Sequence, residues 1–468
     1  DYMYQYGPSG FTLGSGTIMT GGTNPDTLWG LSQNTWYDAY VRVNCGSDSS
    51  SWVGPFTFIS KCDAASVLSG TYTVDGSLPT GGTNFNSLAE AEQSLNYCGI
   101  SGPVTINMTG GTHGSLHLMS IPGASATNTV TIVGSASGDS IISTSDVTAL
   151  ELSGTKYVSF KNLYIRNTYS TGYSAVWLHN KAMTISFDSC EFVAYPSTTD
   201  YRVAVISASS SATSATSTGD NIDDLSISNS SINGGYYGIS VEGFTDNNRN
   251  SGLTLINNVF KNQYYYGIYT YYMDDLYVDQ NTIINFRNTY TYGILTYYAD
   301  DITISNNVIP KSAAYGISLN YINMYMTNGS NTSNVFNNIA AGTYSGIYTY
   351  VASYINYYHN TSVGTGSDNG MYFGTSTFSV PPPPYTDIEV KNNIIVNEGS
   401  GVALYLSLVP ANLTLDYNLY YASSGDVAYN GGSYYNTLSD LVAGMPAQNA
   451  NSVEGDPLFY GPEDFREL

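Results

Sequence analysis

Three features of the sequence predict an all-β fold of one type, a right-handed parallel β-helix solenoid. Between Tyr236 and Tyr421 a unit recurs that consists of Tyr-Gly-Ile, a short strand, a polar turn and a second strand. Its copies lie 22 to 33 residues apart and contain only short strands and turns, which is typical of a solenoid. Apolar and polar residues alternate within each strand, so each strand has one buried face that only stacked neighbours can cover.

One glycine and one asparagine mark each copy of the repeat. The glycines are Gly238, Gly267, Gly293, Gly316, Gly346, Gly370 and Gly401. The matching asparagines are Asn258, Asn281, Asn307, Asn338, Asn360, Asn393 and Asn418. We expect these asparagines at tight corners, because Asn tolerates the left-handed conformation and its amide can bond along a ladder of identical turns. The alternatives are an antiparallel β-sandwich and a propeller, but propeller blades need about 40 residues or more, and no hairpin dipeptide recurs at the right place.

The chain divides into three parts around this repeat. We expect a separate β unit in residues 1–61, a junction with a capping helix in 62–102, and the β-helix in 103–468. Four consecutive prolines at 381–384 predict a stiff, extended loop that projects from the stack.

The junction contains the best helical segment of the protein, residues 86–95, which Asn86 or Ser87 can cap. We expect this helix to plug the open end of the solenoid core and to protect the edge of the first coil from pairing with another chain. Its apolar face consists of Leu88, Ala91 and Leu95.

The composition disfavours several classes of partner. The 468 residues carry a net charge of -23, with 13 basic and 36 acidic residues. Such an acidic surface repels phosphate, which argues against nucleic acid and anionic membranes, and a polyanionic glycan would need a bridging cation. The chain has no apolar run of about 18 residues, so membrane insertion is not expected. The hydrophobic content of 42% is sufficient to fill a core, which argues against disorder.

The cysteines are Cys45, Cys62, Cys98 and Cys190, which are too few for a disulfide scaffold and do not have the spacing of a zinc site. Cys45 and Cys62 flank the last predicted hairpin of the first unit, so we predict one disulfide between them. The alternative is a pair of buried thiols.

Tyrosine is the strongest functional signal, with 45 copies in the chain. In the repeats, tyrosines lie directly before the glycine and at the second and fourth positions after it. Because side chains alternate between the two faces of a strand, we expect the second and fourth positions to face outward. Stacked coils lie about 4.8 Å apart, so these side chains would form ladders of exposed rings. Such rings suit stacking on sugars or contact with a protein surface, whereas the alternative is that they only stabilise the sheet. The predicted ligand-binding residues are Tyr266, Tyr269, Tyr271, Tyr292, Tyr297, Tyr348, Tyr350 and Tyr372.

Acidic pairs precede several strands. Asp274 and Asp275 follow their repeat glycine by the same seven and eight residues as Asp300 and Asp301 follow theirs, so we expect the two pairs to stack. Neighbouring carboxylates at coil spacing could share Ca²⁺, and these four residues are our candidate metal site, with no other cofactor expected. The alternative is that Asp suits the turns and that the carboxylates point apart.

The sequence gives little support for catalysis. A polysaccharide lyase of this fold needs a basic residue near its cleft, and no Lys or Arg of the coils falls in a visible cluster with the Asp pairs. A polygalacturonase-like hydrolase needs several acids beside the scissile bond, and the His-Gly and Arg-x-Lys motifs of that family are missing. The histidines are scattered and are expected to be structural; they are His113, His117, His179 and His359.

The first unit resembles the later two-thirds of a fibronectin type III domain. The resemblance rests on Leu28-Trp29-Gly30-Leu31, a turn, and Tyr37 near the start of an alternating strand. It implies that Tyr37 forms the tyrosine corner of that family. The first strands of such a domain are absent, so we expect the chain to begin inside a domain of a longer protein.

The segment that joins this unit to the first coil resembles large secreted surface proteins of gliding and related Bacteroidetes bacteria. The matching stretches are Asn44-Cys45-Gly46, residues 69–74 and residues 98–105. The resemblance implies export by the type IX secretion route and residence outside the cell or on its surface. The last residues, 455–468, resemble the closing coil of pectate-lyase-like helices but stop before it is complete, so we expect the chain to be a fragment at both ends.

Together these observations predict a secreted, surface-displayed β-helix that acts as an adhesin does, by binding without catalysis. The predicted partner is a polysaccharide, a cell-surface glycan or a protein surface, and the resemblance adds the secretion machinery during export. One alternative is a pectate-lyase-like polysaccharide depolymerase that uses the Asp pairs. Another is a passive stalk or a cargo of the secretion system.

Overall fold

The structure is a computed structural model. It describes residues 1–24, 26–33, 35–46, 48–60, 62, 66–135, 138–169, 173–312, 314–324, 332–375, 385–461 and 464–467. The predicted proline loop at 381–384 lies outside the described residues. In the part of the chain that the structure describes, no helix is long and apolar enough to cross a bilayer.

From Leu68 to Glu454 the chain winds through three long sheets, in which the strands of successive coils pair in parallel. The exception is the last strand of the third sheet, Ser433–Tyr435, which pairs antiparallel with Ala428–Asn430. This arrangement confirms the predicted parallel β-helix. Because pairing joins equivalent positions, residues one repeat apart lie side by side, so that Ile268 pairs with Ile239 on one side and with Ile294 on the other. These inward side chains belong to one buried apolar core that extends along the stack.

The strands of the first sheet are Leu68–Val74, Asn84–Phe85, Ile100–Met108, Val130–Val133, Lys156–Lys161, Ala182–Asp188, Ile222–Ser228, Asn250–Ile256, Met273–Asp279, Ile302–Ser305, Ser333–Phe336, Ile355–Tyr358, Thr386–Lys391 and Ala411–Asp416. Those of the second sheet are Thr112–His113, Asp139–Ser143, Leu163–Asn167, Glu191–Ala194, Ser231–Gly234, Val259–Lys261, Thr282–Ile284, Val308–Ile309, Ile339–Gly342, Thr361–Gly364, Ile394–Asn397, Leu419–Ala422 and Val453–Glu454. Those of the third sheet are Leu116–Leu118, Thr148–Ser153, Ser174–His179, Ala204–Ala208, Tyr237–Glu242, Tyr266–Tyr271, Tyr292–Ala299, Tyr315–Ile322, Ser345–Ala352, Asn369–Gly374, Val402–Leu406, Ala428–Asn430 and Ser433–Tyr435. A helix, Leu438–Gly444, and a hairpin of Phe459–Gly461 and Asp464–Glu467 follow.

The N-terminal unit is a single antiparallel sheet. The hydroxyl group of Tyr37 accepts a hydrogen bond of 2.9 Å from the backbone N–H of Ser32, which is the contact predicted for a tyrosine corner. The fibronectin type III identity of the unit stays a prediction. In spatial order its strands are Thr17–Gly22, Tyr2–Pro8, Trp36–Val43 and Val53–Ile59.

The predicted capping helix is present but shorter. An α-helix, Leu88–Gln93, continues as a π-helical turn, Ser94–Cys98. Ser87 is its N-cap, since the Ser87 Oγ accepts a hydrogen bond of 3.3 Å from the Glu90 N–H. The predicted apolar face is buried in the solenoid core through Leu88, Ala91 and Leu95.

The predicted disulfide between Cys45 and Cys62 is wrong. Cys62 is bonded to Cys98, at the end of the π-helical turn, with the two Cα atoms 5.3 Å apart. Cys45 is an exposed free thiol and Cys190 is a buried one. The prediction failed because it grouped Cys62 with the hairpin before it, whereas the capping helix brings Cys98 back beside residue 62.

The seven predicted asparagines form one continuous buried ladder. In each step the backbone N–H and the Nδ2 of one asparagine donate to the Oδ1 of the asparagine in the next coil, at 2.9–3.1 Å. The left-handed residue of each corner is, however, the one directly before the ladder asparagine. At two corners it is Gln280 or His359, with φ of 58° and 56° and an exposed side chain. The corner therefore accepts several residue types, while the ladder needs a side chain that both donates and accepts.

Candidate functional site on the third sheet

The outward positions of the third sheet carry the predicted tyrosines, but not as an unbroken row. The row formed by the second residue after each repeat glycine should contain Ala403 in the last repeat. In the structure Tyr405 occupies that place instead. The cause is that Gly401 lies two residues out of register with Gly370, so Tyr405 pairs with Tyr372. The row reads Ser240, Tyr269, Leu295, Ser318, Tyr348, Tyr372, Tyr405 and Tyr429.

The tyrosines form two networks of ring contacts. The longer network extends from Tyr236 to Tyr434, with neighbouring ring centroids 4.4–6.1 Å apart. The shorter one connects Tyr271 to Tyr350 at 4.6–5.7 Å through Tyr298 and Tyr321. Tyr297 contacts Tyr271 at 5.9 Å and Tyr269 contacts Tyr266 at 5.3 Å, so all eight predicted tyrosines belong to these two networks, which together form the tyrosine face. All eight are half-buried because the rings cover one another. The expectation of freely exposed rings is therefore wrong, and ligand binding by these residues stays a prediction.

At the downstream end of the longer network the rings border a cleft of about 470 Å³. The rings of Tyr344 and Tyr434 are 37% and 60% exposed, so they present open surface, while Tyr348 and Tyr372 stack in parallel at 4.4 Å. Burial raises the pKa of the Tyr348 phenol, which keeps it a neutral hydrogen-bonding hydroxyl. The lining consists of Tyr315, Tyr344, Tyr348, Tyr372, Tyr405, Tyr434, Ser367, Asp368, Asn369, Ser400, Gly401, Val402 and Asp426.

The lining of this cleft is acidic, because Asp368 and Asp426 are the charged residues among the described residues that line it. Burial raises the pKa of the Asp368 carboxyl above its ordinary value. Asp426 belongs to the coil two steps beyond that of Asn369, because Asn369 pairs with Val402 and the N–H of the next residue, Ala403, donates to the Asp426 carbonyl. Among the described residues, no side chain donates a hydrogen bond to, or forms an ion pair with, either carboxylate. Both are therefore acceptors that the described part of the chain leaves free for a ligand.

Sequence reasoning missed both acids of the cleft. Asn369 and Asp426 lie in the row of Tyr266 and Tyr315, the position directly before the repeat glycine in the earlier coils. An alignment of the repeats on that row, rather than on the glycines, would have placed Asp426 beside the tyrosines.

The predicted calcium pairs surround an arginine. Arg249 lies 2.9 Å from Asp274, 3.0 Å from Asp300 and 2.7 Å from Asp246. The expectation that no basic residue meets the Asp pairs is therefore wrong. The second aspartate of each pair, Asp275 or Asp301, lies in a left-handed turn with an exposed side chain.

The guanidinium group thus stands between the stacked carboxylates, where a shared Ca²⁺ was predicted. Among the described residues, no group of three or more His, Cys, Asp or Glu side chains is arranged to hold a metal ion. Calcium binding by Asp274, Asp275, Asp300 and Asp301 stays a prediction that must compete with Arg249.

Two histidines that are isolated in the sequence meet on the third sheet. His117 Nδ1 lies 2.9 Å from one carboxylate oxygen of Glu151, and His179 Nε2 lies 2.8 Å from the other. The ring of Trp177 stacks on His179 at 3.7 Å. Hydrogen bonds from both histidines hold the pKa of Glu151 down to about 2, and the same contact raises the pKa of His117. These contacts suit the structural role that the sequence predicted for the histidines.

This cluster predicts a pH-dependent stability. Because the folded pKa of Glu151 lies below its ordinary value of 4.5, its contribution is present above pH 4.5 and is lost as the pH falls toward 2. The raised pKa of His117 adds stability that is present below its ordinary pKa of 6.5 and is lost as the pH rises through the raised value. Glu151→Gln should therefore lower the free energy of unfolding in urea by about 2 kcal/mol at pH 5.5. The difference should narrow by about pH 3.

The matched control for this measurement is Glu191→Gln, at an exposed position of the second sheet. It should follow the wild-type protein at both pH values. A Glu151→Gln deficit that stays the same at pH 3 would contradict the assigned pKa.

Two families match parts of the chain. Residues 284–441 match the family described as right handed beta helix region, and residues 193–323 match the family described as periplasmic copper-binding protein (NosD). The first match agrees with the predicted hand of the solenoid, and together with the parallel sheets it makes the chain a right-handed parallel β-helix protein. The second segment does not suit copper, because it contains no His or Cys and its Met273 is fully buried. No curated protein sequence gives a significant match.

Several solved structures match the chain at low identity. The GH136 lacto-N-biosidase from Eubacterium ramulus is 11% identical, with a TM-score of 0.42 over 82% of this chain and 66% of that chain. The A-module of the mannuronan C-5 epimerase AlgE4 from Azotobacter vinelandii is 12% identical, with a TM-score of 0.37 over 75% of this chain and 87% of that one. Pectate lyase Pel9A is 12% identical, with a TM-score of 0.28 over 78% of this chain and 81% of that chain. Such distant similarity carries no conclusion about a shared activity.

Proposed function

We propose that this chain is an extracellular, adhesin-like β-helix that binds a glycan, without cleaving it, in the tyrosine-lined cleft of the third sheet. The cleft is the observation that carries the proposal, because it combines aromatic rings with carboxylate, amide and hydroxyl groups. A sugar ring has apolar C–H faces that pack on aromatic rings, and hydroxyl groups that need polar partners. The cleft supplies both kinds of contact in one place.

The location of the protein is part of this proposal. The resemblance of residues 69–74 and 98–105 to secreted Bacteroidetes surface proteins supports export by the type IX route and display at the cell surface. The family matched by residues 193–323 is described as periplasmic, which also supports a site of action outside the cytoplasm.

A specific observation favours a second function, cleavage of the bound polysaccharide. Asp368 and Asp426 belong to coils two steps apart, so their backbones are about 10 Å apart along the stack at the usual coil spacing. The two carboxyl groups of inverting glycosidases are about 6.5–9.5 Å apart, which leaves room for the attacking water, and side chains on backbones about 10 Å apart can reach such a separation. Burial raises the pKa of Asp368, as a general acid requires. Asp274 and Asp300 suit this role less well, because Arg249 holds both.

Affinity electrophoresis in gels cast with different polysaccharides tests the proposal. We expect at least one polysaccharide to retard the wild-type protein, and the double variant Tyr344→Ser/Tyr434→Ser to bind it at least about tenfold more weakly, because aromatic anchors dominate such contacts. Both side chains are exposed, so the variant should keep its fold.

The matched control replaces two exposed tyrosines outside the cleft, Tyr201→Ser and Tyr277→Ser, and should be retarded like the wild-type protein. Unchanged migration in every gel would contradict glycan binding. A zone of degraded polymer around the band, lost in Asp368→Asn, would establish the second function instead.

A further inference from the structure

We infer that the glycan held by the cleft carries protonated amino groups, so that the site selects a polysaccharide of amino sugars over uncharged or acidic ones. This inference rests on the proposed function and names the class of ligand for the same cleft. It follows from the charge of the lining, from the partners of the two carboxylates and from the exposed tyrosine rings.

The charge of the lining sets the sign of the ligand. Asp368 and Asp426 line the cleft, and no Lys, Arg or His belongs to the described part of its lining. The whole chain has a net charge of -23, so its overall field adds to the attraction of a cation and to the repulsion of a uronate.

Some carboxylates near the surface of this chain have a cation of their own, although acidic residues outnumber basic ones by 36 to 13. Asp200 pairs with Arg202 at 2.6 Å, and Glu389 pairs with Lys391 at 3.2 Å. Asp368 and Asp426 have no such partner among the described residues, although burial already raises the pKa of Asp368. An ammonium group of the ligand would supply the missing positive charge and three hydrogen-bond donors.

The aromatic rings of the cleft also favour binding of an ammonium group. The exposed rings of Tyr344 and Tyr434 lie on the lining with the two acids. Ring faces attract ammonium ions, and they pack equally well on the C–H face of a sugar. Since the two acids are two coils apart, amino groups on two non-adjacent sugars of one polymer can meet both of them.

The test compares two oligosaccharides with the same sugar backbone. The amino groups are free and protonated in the hexamer of glucosamine, and acetylated and uncharged in the hexamer of N-acetylglucosamine. Calorimetric titration at about pH 5.5 and low salt should give at least about tenfold tighter binding of the amino hexamer, and high salt should reduce this preference. The variant Asp368→Asn/Asp426→Asn should lose most of the preference. A charge-matched control, Glu191→Gln/Asp224→Asn, removes two exposed carboxylates outside the cleft, one of them from a left-handed turn that Asn tolerates, and should keep the preference.

Equal affinity for the two hexamers would overturn the inference, and so would a preference that survives in Asp368→Asn/Asp426→Asn. If uncharged glycans bind through Tyr344 and Tyr434 but the amino hexamer is not preferred, only this inference fails. If no glycan of any charge binds, the proposed function fails with it.

Discussion

Arg249→Met will lower the free energy of unfolding at pH 7 by about 3–5 kcal/mol. The guanidinium group is only 3% exposed and lies within 3.0 Å of carboxylate oxygens of Asp246, Asp274 and Asp300. Without it, three carboxylates remain together with no cation between them. Burial already raises the pKa of Asp274 in the presence of the arginine, so that carboxylate will suffer most. Urea unfolding followed by fluorescence measures the change.

Two comparisons make this result specific. The deficit of Arg249→Met should shrink in acid, because protonation of the carboxylates removes their repulsion, and Asp274→Asn/Asp300→Asn in the same chain should recover part of the stability. The control Arg202→Met removes an exposed partner of Asp200 and should cost less than about 1 kcal/mol. If Arg249→Met unfolds at the wild-type urea concentration, the arginine does not hold these coils together.

Asn307→Ala will lower the free energy of unfolding by about 3–4 kcal/mol. Asn307 Oδ1 accepts from both the backbone N–H and the Nδ2 of Asn281 at 3.0 Å, and its own Nδ2 donates to the Val278 carbonyl at 2.8 Å. The alanine variant leaves these buried groups without partners and leaves a cavity where the amide was. Urea unfolding at pH 7 measures this loss as well.

The ladder predicts where the effect should appear. Because each asparagine bonds to the next coil, we expect amide exchange of Asn307→Ala to rise in the adjacent coils, around Asn281 and Asn338, before it rises elsewhere. The control Asn436→Ala changes an exposed asparagine outside the ladder and should shift stability by less than about 0.5 kcal/mol. A loss of similar size in Asn436→Ala would mean that burial in the ladder is not the cause.

The coil architecture and the asparagine ladder were predictable because their residues recur in every copy of the repeat. An inward isoleucine such as Ile268 has the same neighbour type above and below, so one copy predicts the environment of all. The same logic located the tyrosine face, although it misjudged the exposure of the rings and placed Ala403 where Tyr405 lies. The alternation of side chains along a strand predicts on which side of the sheet a ring lies, but it does not predict how far neighbouring rings cover one another.

The details of the site were not predictable, because they depend on register between coils of unequal length. The copies differ by up to 11 residues, and one extra pair of residues shifts Gly401 out of line with Gly370 and puts Tyr405 beside Tyr372. Asp368 and Asp426 reach the same cleft for this reason, although nothing in their local sequence marks them. Arg249 likewise meets Asp274 and Asp300 from a turn of another coil.

The repeat pattern could not predict contacts between segments that do not repeat. The bond between Cys62 and Cys98 depends on where the capping helix ends. The meeting of His117 and His179 at Glu151 occurs in coils that lack the Tyr-Gly-Ile marker, so no alignment of repeats would have brought them together.

A crystal structure with an oligosaccharide of the polymer that retards the protein most is the most direct test of glycan binding by the tyrosine face. We expect a sugar ring packed on Tyr344 or Tyr434, with its polar groups within hydrogen-bond distance of Asp368 or Asp426. A sugar bound on the first or second sheet, with the cleft free of ligand, would contradict the proposed site.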